Sequence, residues 1–98
     1  MFTMKERGML TDGYFTVIRE DEKFIEVKSK NTGHYWMIYK KTDHSGKLVT
    51  LYHKHTAGTK YYHKQREVLS VSMAVESIMS HDKYVLIIKK YSTDYEHD

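Results

Sequence analysis

The sequence predicts an α+β fold: a single antiparallel β-sheet of five to six strands in a meander, with one helix packed on one face, in the order β-β-β-β-β-α-β. Three observations predict it. Between residues 14 and 65, short runs of alternating β-branched and aromatic residues are separated by polar, glycine-bearing turns. Near residue 70 the apolar period changes from two to about 3.6. The connectors are short, which favours strands that are neighbours in sequence also being neighbours in the sheet.

Taken in order, Tyr14 to Glu20 (YFTVIRE) and Lys23 to Lys28 (KFIEVK) form a hairpin about the polar pair Asp21–Glu22. SKNTG at 29–33 is turn chemistry, with Asn31 and Gly33 suited to positive φ. A third strand follows at His34 to Lys41 (HYWMIYKK), then a turn at 42–47 (TDHSGK), and a fourth strand at Leu48 to Lys54 (LVTLYHK). Ala57–Gly58 centres the next turn, and Lys60 to Gln65 resumes as a fifth, weaker strand. Val71, Ala74, Val75, Ile78 and Met79 then fall on one helical stripe, so a helix is expected near 70–81 with Ser70 or Ser72 as its N-cap. Tyr84 to Tyr91 (YVLIIKKY) has a continuous apolar centre and reads as a last strand beneath that helix.

The 98 residues fit one domain, residues 1–98, with an ordered core at about 13–91 and flexible ends at 1–12 and 92–98. The longest apolar run, Tyr84 to Ile88, is far shorter than the roughly 20 residues of a membrane-spanning helix. The first residues mix charge with apolar side chains and form no h-region, so the expected address is cytoplasmic and no membrane partner is expected. With no cysteine, disulfides, thiolate metal sites and thiol catalysis are excluded. The absence of proline and the excess of lysine over arginine are compositional habits of AT-rich bacterial, phage or mobile-element coding sequences.

Charge is unevenly distributed along the chain. Residues 28–66 carry nine Lys and Arg against Asp43 alone, a net of +8, whereas 1–27 and 67–98 carry −2 and −3. Five of the seven histidines, at 34, 44, 53, 55 and 63, lie in that basic centre. Lysine charge attracts phosphate and flat rings offer stacking faces for bases, so the expected binding surface is Lys40, Lys41, Tyr52, His53, Lys54, His55, Lys60, Tyr61, Tyr62, His63, Lys64 and Arg66. Strand alternation sends half of the rings inward, and Trp36 is expected in the core.

His53, His55 and His63 raise the question of a metal, and hairpin register decides it. Pairing with residue numbers summing to 115 sends His63 to the opposite face; a sum of 116 puts all three rings on one face. Lys54, Lys60 and Lys64 oppose a cation and no acid is adjacent, so neither a metal nor any other cofactor is expected. Catalysis is not expected either: Asp43 is the only acid of the basic segment, and the five glycines are isolated rather than gathered in a phosphate loop; the enzymatic alternative is a metal-independent nuclease using two histidines and a lysine, which no spacing singles out.

The expected function is a non-enzymatic binding protein that contacts single-stranded or structured nucleic acid through the basic Tyr/His/Lys-rich sheet surface of residues 28–66. The alternative is a protein-binding inhibitor or adaptor of a nucleic-acid-processing enzyme, of the anti-defence, anti-CRISPR-like kind carried by phage and mobile elements. A homodimer, through Tyr84–Tyr91 or an unpaired sheet edge, is compatible with both.

Overall fold

The computed structural model describes residues 2–41 and 48–96, with side chains described as far as Lys90. A short helix α1 (Met4–Leu10) precedes strands β1 (Phe15–Glu20), β2 (Phe24–Ser29), β3 (Tyr35–Lys40), β4 (Val49–Lys54) and β5 (His63–Val68), and a long helix α2 (Val71–Glu96) closes the chain. The five strands form one antiparallel sheet in the order β1-β2-β3-β4-β5. The fold is therefore the α+β meander with helices on one face. The expected turn at 42–47 lies outside the described residues.

Alternation sorts the strands into two faces. Ile25, Val27, Trp36, Ile38, Val49 and Leu51 point to one side and are almost completely buried. They meet Leu10 from α1 and Val71, Ala74 and Ile78 from α2. Ser70 caps α2 as expected: its Oγ accepts from Met73 N at 3.2 Å, satisfying an amide of the first turn. Of the expected helical stripe, Met79 departs, standing 42% exposed.

Three elements differ from expectation. Residues 84–91 continue α2 and form no strand. A short apolar run fits either period, and no Gly or Pro follows Gly58 to stop a helix already nucleated at Val71. Beyond Asp82 the helix leaves the sheet, exposing Tyr84, Leu86, Ile87 and Ile88, and the molecule measures 53 × 26 × 24 Å. The helix runs on to Glu96. The fifth strand starts three residues late, at His63, because 55–62 is taken up by a loop whose Thr56–Thr59 turn is centred on Ala57–Gly58.

The third difference is α1, in a segment expected to be flexible. Its signal is the capping box Thr3-Met4-Lys5-Glu6: Thr3 Oγ1 accepts from Glu6 N at 3.1 Å while Glu6 Oε1 accepts from Thr3 N at 2.8 Å. Glu6 also receives Lys40 Nζ at 3.0 Å, tying α1 to β3. Burial alone raises the Glu6 carboxyl, but the Thr3 amide and the Lys40 ammonium outweigh it and hold it below the usual range. Thr3→Ala removes half of the box and is expected to cost about 1 kcal/mol. A urea denaturation midpoint measures that loss; an unchanged midpoint would show that α1 contributes nothing to global stability.

Candidate functional site

The two faces of the sheet divide the expected binding residues. On the face away from the helices, β3 contributes Tyr35, Met37 and Tyr39, β4 contributes Thr50, Tyr52 and Lys54, and the register sets Lys28, Lys64 and Glu67 beside them. Among the described residues no helix or strand packs over this face. The 55–62 loop folds toward it, placing Tyr62 where its Oη donates to Glu26 Oε2 at 2.6 Å. Burial, then the adjacent Glu26 carboxylate, pushes the Tyr62 phenol well above its ordinary value, so the hydroxyl stays a donor. Lys54 Nζ lies 5.4 Å from the Tyr35 ring centroid and 4.8 Å from that of Tyr62, and Lys28 Nζ lies 5.6 Å from Tyr35.

The described acids of this face are matched within it. Glu26 Oε1 pairs with Arg19 Nε at 3.2 Å, and Glu67 pairs with Lys41 and, at 3.4 Å, with Lys64. Attraction to Lys41, the largest influence, holds the Glu67 carboxyl below the usual range. What remains is a ring-lined surface whose uncompensated charge is positive. Lys41, Tyr52, Lys54, Tyr62 and Lys64 are thus brought together, with Lys60 and Tyr61 exposed on the adjoining loop, Lys60 Nζ 5.4 Å from the Tyr61 ring.

The other expected residues belong to the helix side. Lys40 is engaged by Glu6, and Arg66 Nη1 reaches Ser77 Oγ on α2 at 3.4 Å. His53, His55 and His63 gather with two histidines outside the expected set, His34 and His81. The register pairs His53 with His63 and Tyr52 with Lys64, the sum-116 alternative that puts the histidines on a common face. A one-residue shift between Leu51 and Tyr52 then keeps Val49 opposite Val68 in the core.

This cluster is built from four directions. His34 precedes β3, His53 lies in β4, His63 opens β5, and His81 comes from α2. His34 Nδ1 and His53 Nε2 are 3.0 Å apart, and one potential ligand atom from each of His34, His53 and His81 lies within 4.8 Å of the others. His55 stacks on His34 with centroids 4.7 Å apart, and the His63 ring stands 5.4 Å from His53. Trp36 forms the floor, stacked on His53 at 4.0 Å and edge-on to His81 at 5.1 Å.

Position is enforced by a buried carboxylate. Asp82 is 0% exposed; its Oδ2 accepts from Tyr14 Oη at 2.7 Å and its Oδ1 from Thr32 Oγ1 at 3.0 Å. Thr32 Oγ1 in turn accepts from the His34 amide at 3.2 Å, so the loop carrying His34 is fastened to the helical turn carrying His81. Burial and the Asp82 charge push the Tyr14 phenol up to about 12.

Burial, reinforced by the neighbouring imidazoles, pushes His53 down to about 3. Burial is also the main cause that lowers His34 and His81, against the opposing charge of Asp82. All three rings are neutral at pH 7 and have lone pairs to offer. His81 Nδ1 is buried with no hydrogen-bond partner among the described residues. His34 and His81 escape sequence reasoning because 47 residues and a change of element separate them; only the helix-on-sheet packing brings them together. Searches against protein-family models, curated proteins and solved structures return no match to this chain, so its site is read from its own chemistry.

Proposed function

We propose that the chain is a small non-enzymatic nucleic-acid-binding protein that presents the open sheet face to single-stranded or structured nucleic acid. The observation that carries this reading is the face, crossed by no described helix or strand, on which half-buried Tyr35, Tyr39 and Tyr52 lie among Lys28, Lys54 and Lys64. Rings at strand spacing offer stacking surfaces for unpaired bases, and the lysines offer charge to the phosphates. A flat sheet suits single strands and loops better than the major groove, and the helices are committed to the opposite face. A non-enzymatic role is supported by the only described acid beside the histidines: the Asp82 carboxylate is bound to Tyr14 and Thr32, not to an imidazole it could orient as a base. No described helix is long and apolar enough to cross a membrane.

The experiment is a gel shift with short single-stranded oligonucleotides at increasing salt. Wild-type affinity is expected to fall steeply with salt, and the Lys28→Glu/Lys54→Glu/Lys64→Glu variant to bind at least roughly tenfold more weakly, with a log–log salt slope shallower by about 2. Absence of binding at about 50 mM salt, or wild-type affinity in the triple variant, overturns the reading.

A protein partner is the second reading, favoured by the exposed Tyr84, Leu86, Ile87 and Ile88 on the projecting part of α2. An inhibitor or adaptor of a nucleic-acid enzyme would then dock there. Binding that survives the triple lysine variant and is lost in Leu86→Asp/Ile87→Asp would favour this reading.

A further inference from the structure

We propose that His34, His53 and His81 form a binding site for one divalent transition-metal ion of the zinc class, fastening α2 to β4 and to the turn before β3. The donor set is chemically suited to it: three neutral imidazole nitrogens are a recurrent zinc ligand set, and borderline metals favour imidazole over the oxygen-only surroundings that calcium and magnesium take.

Geometry carries the case. Zinc–nitrogen bonds of about 2.0–2.1 Å in tetrahedral array place ligand nitrogens about 3.3 Å apart. The His34 Nδ1 to His53 Nε2 separation is 3.0 Å, and the three-residue set is contained within 4.8 Å, so side-chain adjustments of about an ångström bring all three onto one ion. Two further features are costly without a ligand. His53 is a polar side chain 1% exposed in an aromatic and aliphatic surround, and its one partner among the described residues is a nitrogen of another imidazole. His81 Nδ1 is buried with no partner among the described residues. A metal ion would remove the first cost by coordination, and the second wherever Nδ1 is the ligating atom. His55 and His63, whose rings border the cluster, are the side chains available for a fourth position.

The lysines that oppose a cation in a linear reading are displaced by strand alternation. Lys54 Nζ lies over Tyr35 and Tyr62 on the far face, Lys64 pairs with Glu67 there, and Lys60 reaches Tyr61 in the loop. The nearest fixed charge from α2 is the Asp82 carboxylate, which favours a cation, and its hydroxyl-bonded position holds the segments bearing His34 and His81 as outer partners of a metal site do.

The test uses the full chain stripped with EDTA, then titrated with ZnCl₂ by calorimetry and with CoCl₂ by visible absorption. Wild type is expected to take up one equivalent, to show the d–d bands of cobalt in a low-symmetry nitrogen site, and to gain thermal stability that scales with free zinc. His34→Gln and His81→Gln alter half-buried rings outside the hydrophobic core, and circular dichroism verifies their folding; each is expected to weaken zinc at least roughly 100-fold. Failure of the folded, stripped wild type to bind zinc at micromolar concentration overturns the proposal. So does undiminished one-equivalent binding in both variants, which would assign the metal to other histidines. Neither result bears on oligonucleotide binding by the opposite face, so the two readings fail independently.

Discussion

Trp36→Ala is expected to destabilise the protein by about 3–5 kcal/mol, the range for truncating a fully buried large ring. Trp36 is 0% exposed at the centre of β3, between Val27 on β2 and His53 on β4. It stacks on His53, meets His81 edge-on, and donates from Nε1 to Ser29 Oγ at 3.1 Å. Its removal leaves a cavity where the sheet meets α2 and strips the buried Ser29 hydroxyl of its donor, so transfer, cavity and hydrogen-bond costs add. A domain of this length commonly has about 5–15 kcal/mol in total, so the loss removes from about a fifth to all of its stability. Trp36→Phe keeps most of the buried area and loses the indole N–H, and is expected to cost about 1–2 kcal/mol. Because Trp36 is the single tryptophan, far-UV circular dichroism in urea is the measurement. A loss under about 1 kcal/mol for Trp36→Ala would show that this ring does not organise the core.

Much of the sheet was legible in the sequence because its signals are local. Alternation and turn chemistry located β1 to β4 to within about one residue, and Gly33 takes the positive φ, 76°, that its turn needs. The 71–78 stripe likewise identified the buried side of α2. Residues 84–91 read as a strand because a continuous apolar run carries no period, and length and breakers must then decide. The Thr3–Glu6 capping box is present in the sequence, but a helix of seven residues carries too short an apolar period to mark it.

The proposed binding surface was half legible for a different reason. Composition shows that positive charge and rings concentrate in 28–66, but a strand deals alternate residues to opposite faces. Tyr52 and Lys54 therefore went to the open face while His53 went inward. The register of the β4–β5 hairpin depends on an eight-residue loop and a bulge, neither of which composition specifies. The long-range partners of His53 came from elements distant in sequence, and that information resides in the packing of α2.

The same inward placement makes the metal-free protein sensitive to acid. His53 has an ordinary value near 6.5 when unfolded and about 3 when folded, so between those limits the unfolded chain binds more protons than the native state. Stability is full above pH 6.5 and declines as pH falls toward 3. Across that window His53 costs about 1.4 kcal/mol for each pH unit, or about 2 kcal/mol between pH 7 and pH 5. His34 and His81 are shifted the same way and add to the loss. The groups facing His53 are His34 from the turn before β3, His55 and His63 from the β4–β5 hairpin, and His81 from α2; Asp82 on that helix opposes the lowering at His34 and His81. Each imidazolium formed there repels the next, so the native cluster takes up protons less readily than the unfolded chain and the decline steepens. In EDTA the melting temperature is therefore expected to drop by about 8 °C or more from pH 7 to pH 5. Saturating zinc is expected to hold the pH 7 value constant to lower pH, until protons displace the metal and the curve falls more abruptly. A melting temperature flat between pH 7 and pH 5 in EDTA would mean that His53 is solvated in the native state, and the enclosed histidine cluster would have to be given up with it.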